Sequence, residues 1–247
     1  MLQQMMVMSL RILAICVSAS AVADWQLPED SQQLIVVTSD DWYSYQGDLM
    51  TFEKEGGEWL IQSTRSKVTL GRNGIAWGLG LQPPQPGIQK HEGDGRSPAG
   101  VFSLGTAFGY QPFSGLKVPY LTTLEHDFCV DVPDSPYYNQ IVDFRQTGPI
   151  EGVTEPMRRD LAFGDGLYRL GMEVRHNPNN LAGAGSCIFL HVWRDANAPT
   201  AGCTAMPAQV MRKLLMWMDK DKKPLFVLLP RQQYVERELA WGLPPLY

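Results

Sequence analysis

A histidine that precedes a cysteine by one short loop is the strongest chemical signal in this sequence. An apolar stretch ends near His191, a polar loop follows, and Cys203 lies just before a predicted helix that begins near Pro207. A thiol close to a helix N-terminus has a lowered pKa, because the thiolate faces unpaired backbone N–H groups and the positive end of the helix dipole. A neighbouring imidazole would stabilise the thiolate further. The pattern therefore indicates a cysteine nucleophile with a histidine base.

The residues directly before the cysteine fit the same chemistry. Gly202 allows a sharp turn, and Thr200 precedes that turn. The backbone N–H groups in this turn are candidates to bind an oxyanion. The opposing interpretation is a small buried cysteine at a strand-to-helix turn, with a hydrogen-bonded histidine at the end of a strand. The residues alone leave both interpretations open.

Short strands must position these two side chains, and one amphipathic helix follows them. Strands are predicted at 34–38, 48–53, 59–62, 67–70, 101–104, 127–132, 171–174, 186–192 and 224–229, separated by Gly, Pro, Asn and Ser. Helices are predicted at 207–219, 154–160 and 233–241. The segment 82–87 contains three prolines and is predicted to be a loop. This order of elements predicts a β-rich α+β fold.

The composition describes a folded globular protein and argues against nucleic-acid binding. Of 247 residues, 44% are hydrophobic and only 19% are charged, which excludes a disordered tail or a coiled coil. The formal charge is −5 at pH 7, and the chain has no run of basic residues. It therefore lacks the positive patch that DNA or RNA binding requires.

The N-terminus has the pattern of a secretory signal peptide. Arg11 precedes an apolar run at 12–17, and small residues lead to Ala23, which predicts cleavage after that residue. The apolar run is too short to span a bilayer. Cleavage would remove Cys16 and leave three of the four cysteines in an envelope compartment where disulfides persist. One thiol must then stay unpaired.

Three blocks of sequence together resemble the YkuD-type L,D-transpeptidase catalytic domain, a secreted bacterial family that remodels peptidoglycan. They are His191 with Thr-Ala-Gly-Cys at 200–203, the Gly-rich segment 93–102, and the pair of segments 130–132 and 135–139. The resemblance covers about residues 65–230. It implies a mixed β-sheet sandwich or barrel with a helix that follows the catalytic cysteine.

Two positions depart from the family pattern. The family usually has Ser or Thr, His, Gly and Cys, then any residue, then Arg or Asn. Ala201 occupies the position of the histidine in that motif, and Ala205 occupies the position of the Arg or Asn. The chain therefore resembles a divergent branch with an altered substrate geometry.

The resemblance implies a specific reaction. Cys203 would attack the carbonyl of an L,D peptide bond in a peptidoglycan stem peptide, and the terminal D-residue would leave as a thioester forms. His191 would accept the thiol proton and return a proton to the leaving amine. An amine acceptor would then give a crosslink, whereas water would give an L,D-carboxypeptidase. No metal and no organic cofactor is expected.

Three further residues are candidates for substrate binding. Arg96 is expected to anchor a substrate carboxylate, with a turn held by Arg96 and Asp94 as the alternative. Tyr138 and Asn139 are expected to line the cleft, although a tyrosine in a β-rich domain more often packs in the core. His91, His126 and His176 occur in polar, turn-like segments and are expected at the surface. None of the three histidines is predicted to be a ligand.

A disulfide between Cys129 and Cys187 is predicted if Cys203 stays free for chemistry. Both residues lie in strand-like runs that could be neighbours in a sheet. Two buried free thiols are the alternative.

The predicted organisation is a signal peptide at 1–23, a β extension at 24–64, a catalytic domain at 65–230 and a helical tail at 231–247.

A non-catalytic cell-envelope binding module is the alternative from another functional class, and the alanines at 201 and 205 favour it. A sortase-like enzyme fits less well, because the only arginine soon after Cys203 is Arg212, inside a predicted helix.

Overall fold

The computed structural model describes residues 25–246, so the predicted signal peptide at 1–23 lies outside the described residues. The strands are β1 (Gln33–Ser39), β2 (Gln46–Glu55), β3 (Glu58–Thr69), β4 (Ile75–Trp77), β5 (Ser97–Gly109), β6 (Tyr120–Thr122), β7 (Asp127–Cys129), β8 (Ile141–Asp143), β9 (Glu155–Pro156), β10 (Leu170–Val174), β11 (Phe189–Val192), β12 (Thr204–Met206) and β13 (Leu225–Pro230). The helices are α1 (Phe144–Thr147), α2 (Arg159–Ala162), α3 (Ala208–Trp217) and α4 (Arg231–Trp241). The predicted β-rich α+β class is confirmed.

Eight strands close into a mixed barrel. Their order is β10-β11-β12-β3-β2-β1-β13-β5, and β5 pairs back with β10 to complete the ring. The pairs β1–β13 and β11–β12 are parallel, and the other pairs of the ring are antiparallel. Closure removes the unpaired edges that an open sheet would expose. The short strands β4 and β6 add to β5, and β7, β8 and β9 form a separate small sheet.

Strand β1 lies at the centre of the structure. Its sequence Gln-Leu-Ile-Val-Val-Thr-Ser is rich in β-branched residues, and all seven positions are buried. It pairs with β2 on one side and with β13 on the other. The segment 24–64 is therefore part of the barrel rather than an extension, and the expected division at 64 falls inside β3.

The two longer helices pack on the barrel through their apolar faces. Val210, Met211, Leu214 and Leu215 of α3 are buried, and this helix contacts β3, β10 and β11. Tyr234 and Trp241 of α4 are buried, and this helix contacts β1 and β13. The C-terminal segment is thus packed on the barrel and is not a separate tail.

Two predicted elements differ from the structure. The segment 154–160 was predicted as a helix but contains β9 and the start of α2, joined by a short connection. The strand predicted at 186–192 begins only at Phe189, because Cys187 has a φ of 56°, which an extended strand cannot accommodate. Within residues 25–246, every helix is too short or too polar to cross a membrane.

Candidate active site

His191 and Cys203 lie on neighbouring parallel segments and line one cleft. His191 is on β11, and Cys203 directly precedes β12. Because His191 is in register with Ala205 and side chains alternate along a strand, the side chain at 203 is expected on the same face as His191. Both residues line a cleft of about 440 Å³, which we call the His-Cys cleft. The structure therefore brings the two predicted catalytic residues together.

The imidazole of His191 is held in one orientation. Its Nδ1 lies 2.8 Å from the carbonyl oxygen of Val192, and because a carbonyl only accepts, Nδ1 carries the proton. The unprotonated Nε2 is then available as a base. Burial lowers the pKa of His191 to about 4. The ring is therefore neutral at neutral pH, as a general base must be.

The thiol of Cys203 is buried and neutral in the resting protein. Its Sγ accepts a hydrogen bond from the N–H of Phe189 at 3.3 Å and donates to the carbonyl of Cys187 at 3.5 Å. Burial, followed by the charge of Glu155, raises its pKa to about 12. The sequence-based prediction of a lowered pKa is wrong, because β12 separates Cys203 from the N-terminus of α3.

Hydroxyl groups hold the turn before the cysteine. The Thr200 hydroxyl donates to the Cys203 carbonyl at 2.7 Å and accepts from the Gly202 N–H at 3.1 Å. Ser97, which the sequence analysis missed, also donates to the Cys203 carbonyl, at 2.8 Å. The Gly202 N–H is therefore occupied in the resting state and is not a free oxyanion donor.

Charged and aromatic side chains line the His-Cys cleft beside Cys203, and sequence reasoning did not find them. The Tyr168 ring lies edge-on to His191 with centroids 5.2 Å apart. Burial and the nearby Glu155 carboxylate raise the pKa of Tyr168. Arg159 bridges Glu155 at 3.2 Å and Asp165 at 2.8 Å. No motif marks these residues, since strand β9, helix α2 and the loop after α2 supply them.

Cys129 and Cys187 form a disulfide, which is the predicted pairing. Cys203 is the free cysteine of the described residues. The bond attaches the segment that contains Cys187 to strand β7. Because the Cys187 carbonyl and the Phe189 N–H both contact the Cys203 sulfur, the disulfide anchors the backbone that surrounds this thiol.

Tyr138 and Asn139 lie behind the His-Cys cleft and do not line it. The Tyr138 hydroxyl donates to Glu92 and accepts from the Gly185 N–H at 3.1 Å. Asn139 Oδ1 accepts from the Cys187 N–H at 2.9 Å. These contacts position the segment before β11, which is a structural role rather than the expected contact with substrate.

Arg96 also points away from the cleft. Its guanidinium donates to the carbonyls of Ile75 and Trp42 at 3.0 and 3.2 Å, and it lies over the Tyr43 ring. The Gly-rich turn is held by Asp94, which accepts from the backbone N–H of Arg96 at 2.8 Å and pairs with the ammonium group of Lys90 at 2.6 Å. The alternative turn between Arg96 and Asp94 is therefore present through the main chain rather than as an ion pair, and the Arg96 guanidinium does not line the cleft.

His176 is buried, which corrects the expectation that it lies at the surface. Its Nδ1 accepts from the Leu79 N–H at 3.2 Å, so Nε2 carries the proton and donates to the Ala184 carbonyl at 2.9 Å. Burial lowers its pKa to about 4. Among residues 25–246, no group of three or more His, Cys, Asp or Glu side chains is placed to hold a metal ion.

Comparisons with known proteins find similarity only at the level of structure. No family model matches the chain, and no curated protein matches it. Bd1075 of Bdellovibrio bacteriovorus is similar at 15% identity and a TM-score of 0.40, over 88% of this chain and 57% of that one. Pgp2 of Campylobacter jejuni, described as a helical cell shape determining protein, is similar at 13% identity and a TM-score of 0.38, over 84% of this chain and 51% of that one. The chain thus spans about half the length of these structures.

Proposed function

We propose that this protein is a cysteine acyltransferase of the cell envelope that acts on peptidoglycan stem peptides as an L,D-transpeptidase. The observation that carries the proposal is the placement of His191 and Cys203 on adjacent parallel segments of one cleft. The resemblance of the sequence blocks to the YkuD-type family supplies the substrate class. The Cys129–Cys187 disulfide supports an oxidising compartment such as the periplasm.

The two neutral side chains determine how the reaction would begin. A thiol with a pKa of about 12 beside an imidazole with a pKa of about 4 does not form a resting thiolate–imidazolium pair. The proton would therefore move from Sγ to Nε2 of His191 as sulfur bonds to the substrate carbonyl carbon. Collapse of that adduct breaks the L,D peptide bond, and the proton on Nε2 passes to the departing amine.

The thioester would then be resolved by a second nucleophile. An amine from a neighbouring stem peptide attacks the thioester carbonyl, His191 accepts its proton, and the Cys203 thiol is released. Water in the same position would give a shorter stem peptide and no crosslink. The loop 193–202 lines the His-Cys cleft and contains several exposed residues, and an acceptor would enter beside it.

Product analysis by mass spectrometry tests the proposal directly. The purified protein, a Cys203→Ala variant and a His191→Gln variant are incubated with muropeptides that carry tetrapeptide stems. We expect dimers from the parent protein and none from either variant, while a His126→Gln control behaves like the parent. Loss of the terminal D-residue without dimers would assign the carboxypeptidase reaction instead. Products that do not depend on Cys203 would refute an enzymatic role.

A non-catalytic binding module is the second candidate. The burial that holds the Cys203 thiol neutral favours it, because a neutral buried thiol is unreactive by itself. Ala201 and Ala205 add no polar group beside the cysteine. In this case the Cys203→Ala variant would bind muropeptides as tightly as the parent, and neither protein would alter them.

A further inference from the structure

Four basic side chains line the His-Cys cleft, and they differ in how their charges are balanced. They are Arg72, Lys90, Arg159 and Arg194. Lys90 is only 4% exposed and pairs with Asp94, while Arg159 is held between Glu155 and Asp165. The charges of these two residues are therefore satisfied within the protein.

Arg72 and Arg194 are not neutralised in this way. Among residues 25–246, no carboxylate lies within 4 Å of the Arg72 guanidinium, and its side chain is exposed. Arg194 is 66% exposed and reaches Asp165 only at 3.8 Å. That carboxylate already accepts two hydrogen bonds from Arg159, at 2.8 and 3.0 Å. Both guanidinium groups are thus available to a ligand.

The backbone places both arginines beside the catalytic pair. Arg194 follows the strand that carries His191, and the adjacent Trp193 N–H bonds the Met206 carbonyl at 2.8 Å. The Arg72 N–H bonds the Thr200 carbonyl at 2.9 Å, so its loop is attached to the turn that precedes Cys203. The two side chains therefore lie on the loops that flank the nucleophile.

The acidic residues of the same cleft already have donors. Glu92 accepts from the hydroxyls of Tyr138 and Ser186, and Asp131 accepts from Thr154. Glu155 is paired with Arg159. Glu92 and Asp131 keep their negative charges, but neutral donors already occupy their oxygens. The guanidinium groups of Arg72 and Arg194 are the charged groups of the cleft that have no close hydrogen-bond partner among residues 25–246.

We propose that Arg72 and Arg194 bind the terminal carboxylate of the peptide substrate next to Cys203. A guanidinium group matches a carboxylate with two parallel hydrogen bonds, which makes arginine suited to this contact. The inference rests on the proposed function, in which the D-residue that leaves carries a free carboxylate. It makes the protein selective for peptides with an unblocked C-terminus.

Binding to an inactive protein tests the inference without turnover. In a Cys203→Ala background, the dissociation constants of a stem tetrapeptide and of its C-terminal amide are measured by calorimetry. We expect the free acid to bind about tenfold more tightly than the amide, because one charged hydrogen-bonded contact changes a dissociation constant by about that factor. Adding Arg72→Gln and Arg194→Gln together should remove that preference. Raising the salt concentration should also weaken it.

An Arg65→Gln variant is the matched control, because Arg65 is an exposed arginine of β3 outside the cleft. It should keep the tenfold preference. A preference that survives the double substitution, or equal binding of acid and amide to the Cys203→Ala protein, overturns the inference. Turnover by the Cys203-containing protein is measured separately. If the protein turns over substrate but the double substitution leaves the preference for the free acid unchanged, only this inference is refuted. If the double substitution removes that preference but the protein shows no turnover, only the proposed reaction is refuted.

Discussion

Alkylation of Cys203 in the folded protein is predicted to be slow and to lack the usual titration near pH 9. Reaction with iodoacetamide requires the thiolate, and burial raises the pKa of this thiol from 9.0 to about 12. At pH 8 the thiolate fraction is then lower by a factor of about a thousand than for an ordinary cysteine. Steric exclusion adds to this effect, since Cys203 is only 8% exposed.

The assay compares native protein with protein unfolded in urea, with the disulfide intact in both. Modification of the peptide that contains Cys203 is followed by mass spectrometry between pH 6 and pH 11. The rate for the unfolded protein should level off above about pH 10, whereas the native rate should continue to rise about tenfold per pH unit. A native plateau below pH 8 would refute the reasoning, because it would show a thiolate stabilised by His191.

Removal of the Glu155 carboxylate provides a second test of why the pKa of Cys203 is raised. The charge of Glu155 is the largest contribution to the raised pKa of Cys203 after burial. A Glu155→Gln variant should therefore be alkylated faster than the parent at every pH below 11. An Asp131→Asn variant, which removes another carboxylate of the cleft, is the matched control and should change the rate less.

The raised pKa also has a consequence for stability. Because the folded-state pKa of Cys203 exceeds the unfolded value, the stabilising contribution is complete below pH 9 and is lost as the pH rises toward 12. The full difference is about 4 kcal/mol. Alkaline unfolding of the parent should therefore be steeper in pH than that of a Cys203→Ala variant, as measured by urea denaturation.

Three further predictions concern residues that support the site. A Thr200→Ala variant should lose about tenfold in turnover, because the hydroxyl that holds the Cys203 carbonyl is gone, and Thr200→Ser should restore most of it. Replacing Cys129 and Cys187 together by serine should lower the free energy of unfolding by about 4 kcal/mol, because the disulfide closes a loop with a sequence separation of 58 residues. Urea denaturation without reductant measures this difference. Because burial lowers the pKa of His176 to about 4, the free energy of unfolding should fall by about 2 kcal/mol between pH 7.5 and pH 5. A His176→Gln variant should show a smaller fall in urea denaturation over the same pH range.

The candidate reactive residues could be predicted from the sequence. The histidine before the cysteine and the turn at 200–203 are local features, and they led to the residues that share the His-Cys cleft. The pairing of Cys129 with Cys187 followed from keeping Cys203 free. Most strands were also predicted, because β-branched runs between turn residues depend little on distant contacts.

The functions of the charged residues could not be predicted in the same way. Arg96 was assigned to the substrate from its Gly-rich context, yet the fold directs it to the carbonyls of Ile75 and Trp42. Tyr168 and Glu155 line the cleft beside Cys203 although no motif marks them. The partner of a long side chain depends on which segments lie next to it in the folded protein, and those segments are far apart in the chain.

The sequence by itself determined which side chains could react and the β-rich class. Only the tertiary structure decided how reactive they are. Cys203 and His191 lie on the face of their segments opposite the main barrel core, where the segments that contain Tyr168 and Glu155 pack over them. Burial there disfavours the charged form of each side chain, so both are neutral. Burial depends on contacts with every surrounding segment, and a local sequence pattern does not contain those contacts. The local pattern therefore predicted a lowered pKa for the Cys203 thiol, whereas burial raises it.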